Sequence, residues 1–145
     1  MSARFDPYGG DLKFADGMAK TEAVIDESTL SANLRHLLKL RVSQINGCAY
    51  CVNMHLEEAR RDGETDTRLD KLCIWREVPD FTSAEKAALA WAEALTLVSQ
   101  TASLSGLYED LKPHFSGDDI RAMAYSIAMI NAWNRLAIAA HGRMA

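Results

Sequence analysis

Gln44-Ile45-Asn46-Gly47-Cys48-Ala49-Tyr50-Cys51-Val52-Asn53-Met54-His55 is the stretch on which the reading of this chain turns. Asn46-Gly47 is a turn signal, since glycine reaches positive φ without steric cost and asparagine tolerates it better than most residues. A helix therefore starts afresh at about Cys48. On it Cys48, Cys51 and His55 fall at i, i+3 and i+7, one stripe of two sulfurs and an imidazole. Both thiols sit in the first turn, where free backbone N–H groups and the positive end of the helix dipole favour an anion and lower a thiol pKa. His55, one turn beyond Cys51, is placed to take the thiol proton or to hold the charge that results. The spacing supplies a nucleophile, a base and a second sulfur near enough to close a disulfide.

Three chemistries fit that cluster. Both cysteines can be small buried hydrophobes beside a satisfied histidine. Cys48, Cys51 and His55 can be three zinc ligands, with His36, Cys73 or an acidic residue as the fourth, although no second CxxC or His-x3-His follows downstream. Redox chemistry is the favoured reading, because the turn before the pair and the histidine after it sharpen an otherwise moderately specific CxxC. A non-catalytic module that senses redox state or binds zinc is the alternative from a different class.

The chain of 145 residues is long enough to bury one core without disulfide staples. Three cysteines, two of them too close to tie distant segments, do not make a secreted disulfide framework. The start, Met1-Ser2-Ala3-Arg4-Phe5-Asp6-Pro7, lacks the apolar run of a signal peptide, and no later stretch reaches membrane-spanning length without a polar break. A reducing cytoplasm is the expected compartment. A formal charge of −4 and no basic run longer than Arg60-Arg61 argue against nucleic acid as the main partner. Small molecules and proteins remain, with no membrane, cofactor or metal expected.

Residues 1–17 carry Pro7, Gly9, Gly10 and Gly17 among polar residues and read as an irregular arm, ahead of one helical domain over 18–145. Met18 to Ile25 spans one or two helical turns. Ser28 or Thr29 then caps a helix with Leu30, Leu34, Leu37, Leu38, the stem of Arg41 and Ile45 at helical spacing. The site helix runs from Cys48 to Arg61 and stops at Asp62-Gly63. Thr65 or Asp66 caps a short helix whose apolar stripe, Leu69, Leu72, Cys73 and Trp75, makes Cys73 a core residue, and Pro79 ends it. Thr82-Ser83-Ala84-Glu85 is a capping box for a helix with an inner stripe of Ala88, Trp91, Ala92, Leu95 and Val98. After a polar interruption at 99–105, Leu107 to Leu111 forms a shorter segment before Pro113. Ser116-Gly117-Asp118-Asp119 caps a last helix that is apolar on nearly every side from Ile120 to Ala140, a pattern that belongs in a core or a subunit interface. With no convincing alternating pattern, the fold class is an all-α bundle without significant sheet.

The stretch Leu37 to His55, followed by Glu58-Ala59-Arg60 and Gly63-Glu64, resembles the core of the AhpD-like alkylhydroperoxidases of the carboxymuconolactone decarboxylase superfamily. Glu85 to Trp91 and Asn131 to Ala137 are similar to that family as well, so the likeness spans roughly residues 20 to 140. The resemblance implies an AhpD-like helical bundle with thiol peroxidase activity. It makes Cys51 the sulfur that attacks the peroxide, His55 the group that assists its deprotonation, and Cys48 the sulfur that resolves the sulfenic acid to an intramolecular disulfide. The residues alone do not choose between the two sulfurs, because helix-start geometry in other CxxC proteins often activates the first. A dithiol reductant, a dihydrolipoyl or thioredoxin-like protein, would reopen the disulfide. The resemblance also implies a homo-oligomer, trimer or hexamer, consistent with the apolar last helix. Two departures touch the site. His36 stands where the family's relay usually has a glutamate, and reads equally as a helix-surface or core histidine. Tyr50 stands between the cysteines where some members have a histidine, and reads as a packing aromatic or a proton-transfer residue. Arg41 and Gln44 are weaker candidates for orienting the site, and Asn131, Asn134 and Arg135 read as structural or inter-subunit.

Overall fold

A computed structural model describes residues 3–141 of the chain. Among the described residues seven α-helices follow one another without a strand: α1 (Phe14–Asp26), α2 (Ala32–Asn46), α3 (Ala49–Arg61), α4 (Asp66–Lys71), α5 (Ser83–Thr96), α6 (Ser105–Leu111) and α7 (Gly117–His141), with short 3-10 segments at Leu72–Glu77 and Val98–Gln100. The all-α bundle expected from the patterning is therefore the observed fold.

The centre of the bundle is α2, which packs against α3, α5 and α7. Leu37, Leu38, Leu40 and Val42 are fully buried on successive sides of it, so the helix is enclosed all round. The last helix, expected in a core or a subunit interface, buries Met123, Ile127 and Ile130 and leaves Arg121, Tyr125, Ala128, Arg135 and Ala139 on an exposed stripe.

Local signals place most ends of the helices. The Gly47 φ of 70° lies in the left-handed region, and the Gly47 and Cys48 N–H groups bond to Gln44 O (3.2 Å) and Ser43 O (3.1 Å), the reverse turn that ends α2. Thr65 caps α4, and the Thr82–Glu85 capping box is complete. Ser116 Oγ accepts from the Asp119 N–H at 3.1 Å at the start of α7.

Four expectations need correction. The first helix starts at Phe14, ahead of the one or two turns expected from Met18, since an exposed Gly17 with open space around it does not stop α1. The expected arm and domain also include residues 1–2 and 142–145, which lie outside the described residues. The cap of α2 is Ser31, whose Oγ accepts from the Leu34 N–H at 3.2 Å; Ser28 Oγ donates to Ile25 O, and Thr29 Oγ1 donates to Asp119. Cys73 is exposed, not core, because α4 gives way after Lys71 to a tighter segment, kinked at Ile74, that buries Leu72 and Trp75 and leaves Cys73 outside. Val98 is 58% exposed, because α5 ends at Thr96 before the stripe reaches it.

Candidate active site

The turn at Gly47 delivers Cys48 to the N-cap of α3, where its Sγ accepts from the Cys51 N–H at 3.3 Å. Cys48 and Cys51 are joined as a disulfide with Cα atoms 5.3 Å apart. Both sulfur-bearing residues are buried and pack against Ala137 and Ile138 of α7. A network of side-chain amides fixes that packing. Asn134, fully buried, donates to Ser43 Oγ (3.0 Å) and accepts from Asn46 Nδ2 (2.9 Å), which also reaches Asn131 Oδ1 at 3.0 Å. Asn131 in turn donates to Thr96 Oγ1 at 3.1 Å and accepts from Arg135 at 3.0 Å. These three residues of α7 thus hold the turn ahead of the cysteines and satisfy one another where unpaired groups would be costly.

In front of the pair lies a cavity of about 340 Å³, a size suited to a small organic ligand. Cys51 and His55 line it, and Cys48 does not. Met54, Ile130, Ala137 and Trp133 supply apolar wall, with Tyr8 and Tyr50 at the half-exposed side. The charges on the wall are already partnered. Lys39 Nζ is 2.8 Å from Glu22, whose other oxygen accepts from Trp133 Nε1 at 3.2 Å, and Asp26 pairs with Arg35.

His55 is almost wholly buried. Its Nδ1 lies 2.8 Å from Glu58 Oε2, while Nε2 is buried without a hydrogen-bond partner. Burial pushes its pKa below the ordinary value; Glu58 opposes that shift, and Lys39 and His36 reinforce it. Burial thus favours the neutral imidazole, with one nitrogen oriented by a carboxylate and the other buried and unpaired. Glu58 also reaches His36, whose Nδ1 is 3.9 Å away and whose Nε2 lies 2.6 Å from Asp62 Oδ2. The His36 bond pulls the Asp62 carboxyl below the usual range.

Of the sequence candidates, Cys48, Cys51, His55 and Tyr50 come together, and His36 stands behind His55 across Glu58. Arg41 does not join them. It bonds to Glu93 at 2.8 Å and to Gln44 at 3.3 Å, and Glu93 is also bound by Trp75 and Arg76. Burial pushes the Glu93 carboxyl up, and those three donors outweigh it and hold it low. Among the described residues no group of three His, Cys, Asp or Glu is placed to hold a metal. Glu58 was given no role from the sequence, yet its three-residue spacing from His55 on a helix was the available signal.

The model of the Carboxymuconolactone decarboxylase family matches residues 13–94 of the chain. The chain belongs to this family. As a carboxymuconolactone decarboxylase family protein it is 37% identical over 128 residues to the uncharacterized protein YdfG of Bacillus subtilis, covering 88% of this chain and 87% of that one. Its fold superposes with a TM-score of 0.89 on ATU0492 of Agrobacterium tumefaciens, at 35% identity and 94% coverage of each chain; that protein of unknown function carries a description proposing an AhpD antioxidant-defence role. An uncharacterized peroxidase-related protein from Silicibacter sp. TM1040 is similar at a TM-score of 0.76 and 25% identity, over 86% of this chain and 66% of that one. Within the superfamily the chain is AhpD-like.

Proposed function

We propose that the protein is a thiol-dependent peroxidase in which Cys51 reduces organic hydroperoxides and a dithiol restores the pair. The observation that carries the reading is the asymmetry of the site: Cys51 lines the cavity together with His55, whose Nε2 has no hydrogen-bond partner, whereas Cys48 is the helix cap and does not line it. Neutral His55 takes the Cys51 proton, and the Cys51 thiolate attacks the distal peroxide oxygen. The O–O bond breaks, the alcohol leaves with a proton, and Cys51 becomes a sulfenic acid. Cys48 then attacks Cys51 Sγ, water departs, and the disulfide closes. An incoming dithiol attacks the cavity-side sulfur and expels Cys48, whose developing thiolate accepts the Cys51 N–H at the helix start. The second sulfur of the dithiol then attacks the first, Cys51 leaves as a thiol, and the dithiol departs as its own disulfide, oxidised by two electrons.

This reading expects a reducing compartment such as the cytoplasm, where a disulfide is a catalytic intermediate. Among the described residues no helix is long and apolar enough to cross a membrane. It also takes a homo-oligomer as the working form, with the exposed stripe of α7 as the face for a second copy. Ala128→Glu would then lower the sedimenting mass to that of a monomer.

Intact mass and thiol count of the reduced protein, before and after one equivalent of cumene hydroperoxide, test the proposal. Loss of two thiols with a Cys48–Cys51 linkage supports it. Cys51→Ser abolishes turnover, and Cys48→Ser stops at a sulfenic acid that a carbon nucleophile traps. Normal turnover by Cys51→Ser overturns the assignment, and oxidation without turnover with any dithiol points to a redox sensor.

A further inference from the structure

The segment ahead of α1 is fastened to the far end of the chain. The Arg4 N–H donates to Ala140 O at 2.7 Å, and its guanidinium donates to Ile138 O (3.3 Å) and Ala139 O (3.2 Å). A cation on the last carbonyls of α7 is favoured both by their unused acceptors and by the helix dipole. Asp6 Oδ1 then accepts from the Tyr8 N–H at 2.9 Å, which fixes the turn that carries Tyr8 to the cavity. There the Tyr8 ring meets Trp133 with centroids 6.0 Å apart, within the range of a favourable aromatic pair, and Tyr50 completes the rim. Burial, then Tyr50 and Asp6, raise the Tyr8 pKa, so the ring presents a neutral phenol.

We propose that Tyr8 is a specificity-determining residue of the site, closing with Trp133 and Tyr50 an aromatic slot that takes the body of an uncharged aryl or arylalkyl hydroperoxide. The proposal rests on the peroxidase reading for the word hydroperoxide and on the cavity alone for the slot. Hydrogen peroxide is small against about 340 Å³ and has no apolar body to bury against the rings. A fatty-acid hydroperoxide would need a cation for its carboxylate, and Lys39, the one lysine or arginine on the described wall, is occupied by Glu22. Glu22, Asp26 and Glu58 make the remaining charge on that wall acidic, which disfavours an anion further.

Calorimetric titration of the oxidised protein with 2-phenyl-2-propanol, the alcohol left by cumene hydroperoxide, reads the slot without any turnover. The wild type binds it; Tyr8→Ala weakens binding roughly three- to ten-fold, the worth of one aromatic contact, and Tyr8→Phe retains it. Arg4→Ala, which removes the two guanidinium bonds of the anchor and no part of the wall, weakens it in the same direction. In turnover, Tyr8→Ala lowers the ratio of kcat/KM for cumene hydroperoxide to that for hydrogen peroxide by a similar factor. Equal affinity and an equal ratio in wild type and Tyr8→Ala overturn the slot, as does tighter binding of a fatty-acid alcohol than of 2-phenyl-2-propanol. If the alcohol binds and Tyr8→Ala weakens it while no hydroperoxide is consumed, the slot stands and the peroxidase reading falls.

Discussion

At the scale of single residues the proposed chemistry depends on His55, whose neutral form burial favours and whose ring Glu58 orients. Glu58→Gln is expected to lower kcat/KM for cumene hydroperoxide by about ten-fold, a fraction of what a positioned base supplies. Because Glu58 raises the His55 pKa against burial, its removal lets that pKa fall further, and the acid limb of the pH–rate profile moves to lower pH. The same shift enters stability. A histidine whose folded pKa lies below its ordinary 6.5 makes the folded state bind fewer protons than the unfolded one. Stability is therefore intact above 6.5 and is lost as pH falls through the folded value, and urea titrations across that window should show His55→Gln falling less steeply than wild type. Cys48, Cys51 and His55 were legible because a helix turns sequence spacing into a shared face. Glu58 was less so, because the carboxylate expected from the resemblance lay on α2, at the position His36 fills, whereas here it comes from α3 itself.

Among the elements, the turn from α2 into α3 carries the most consequence, and its glycine is required by the backbone. Gly47→Ala forces a side chain into the left-handed region at φ 70° and should cost about 1 kcal/mol in chemical denaturation. It should also slow disulfide reduction, because Cys48 is the next residue. Asn134→Ala strips the donor from Ser43 Oγ and one of the acceptors from Asn46, and losing these two hydrogen bonds should cost about 1–3 kcal/mol. The helix ends marked by local chemistry, Asn46-Gly47, Asp62-Gly63, Thr65 and Thr82–Glu85, were readable in the sequence. The errors fell where the period changed or tertiary contact overrode a local choice. Cys73 belongs to a helical stripe only if the helix stays α beyond Lys71. Ser28 and Thr29 were equal candidates for a cap until Ile25 O and Asp119 claimed them.

Over the whole molecule the core is independent of the sulfurs. The central cluster runs from Leu30 to Ile130 without either cysteine, which form their own small group with Ala137. The disulfide closes a loop with a sequence separation of 3, so its chain-entropy contribution is limited to about 2 kcal/mol. Melting curves with and without dithiothreitol should therefore both be cooperative, with only a modest shift between them. The bundle as a class was legible from patterning, but the central place of α2 was not. Its Arg35, His36, Lys39, Arg41 and Gln44 suggest a surface helix until their partners Asp26, Asp62, Glu22 and Glu93 are seen on neighbouring elements. One feature of α3 gives the molecule a built-in gauge. The Cys51 amide proton rests on Cys48 sulfur, so a change from disulfide to thiolate alters the electron density at the atom accepting it. The nitrogen-15 resonance of that single amide should move with oxidation state, allowing the redox state of the pair to be followed in solution with no dye, label or mutation on either sulfur.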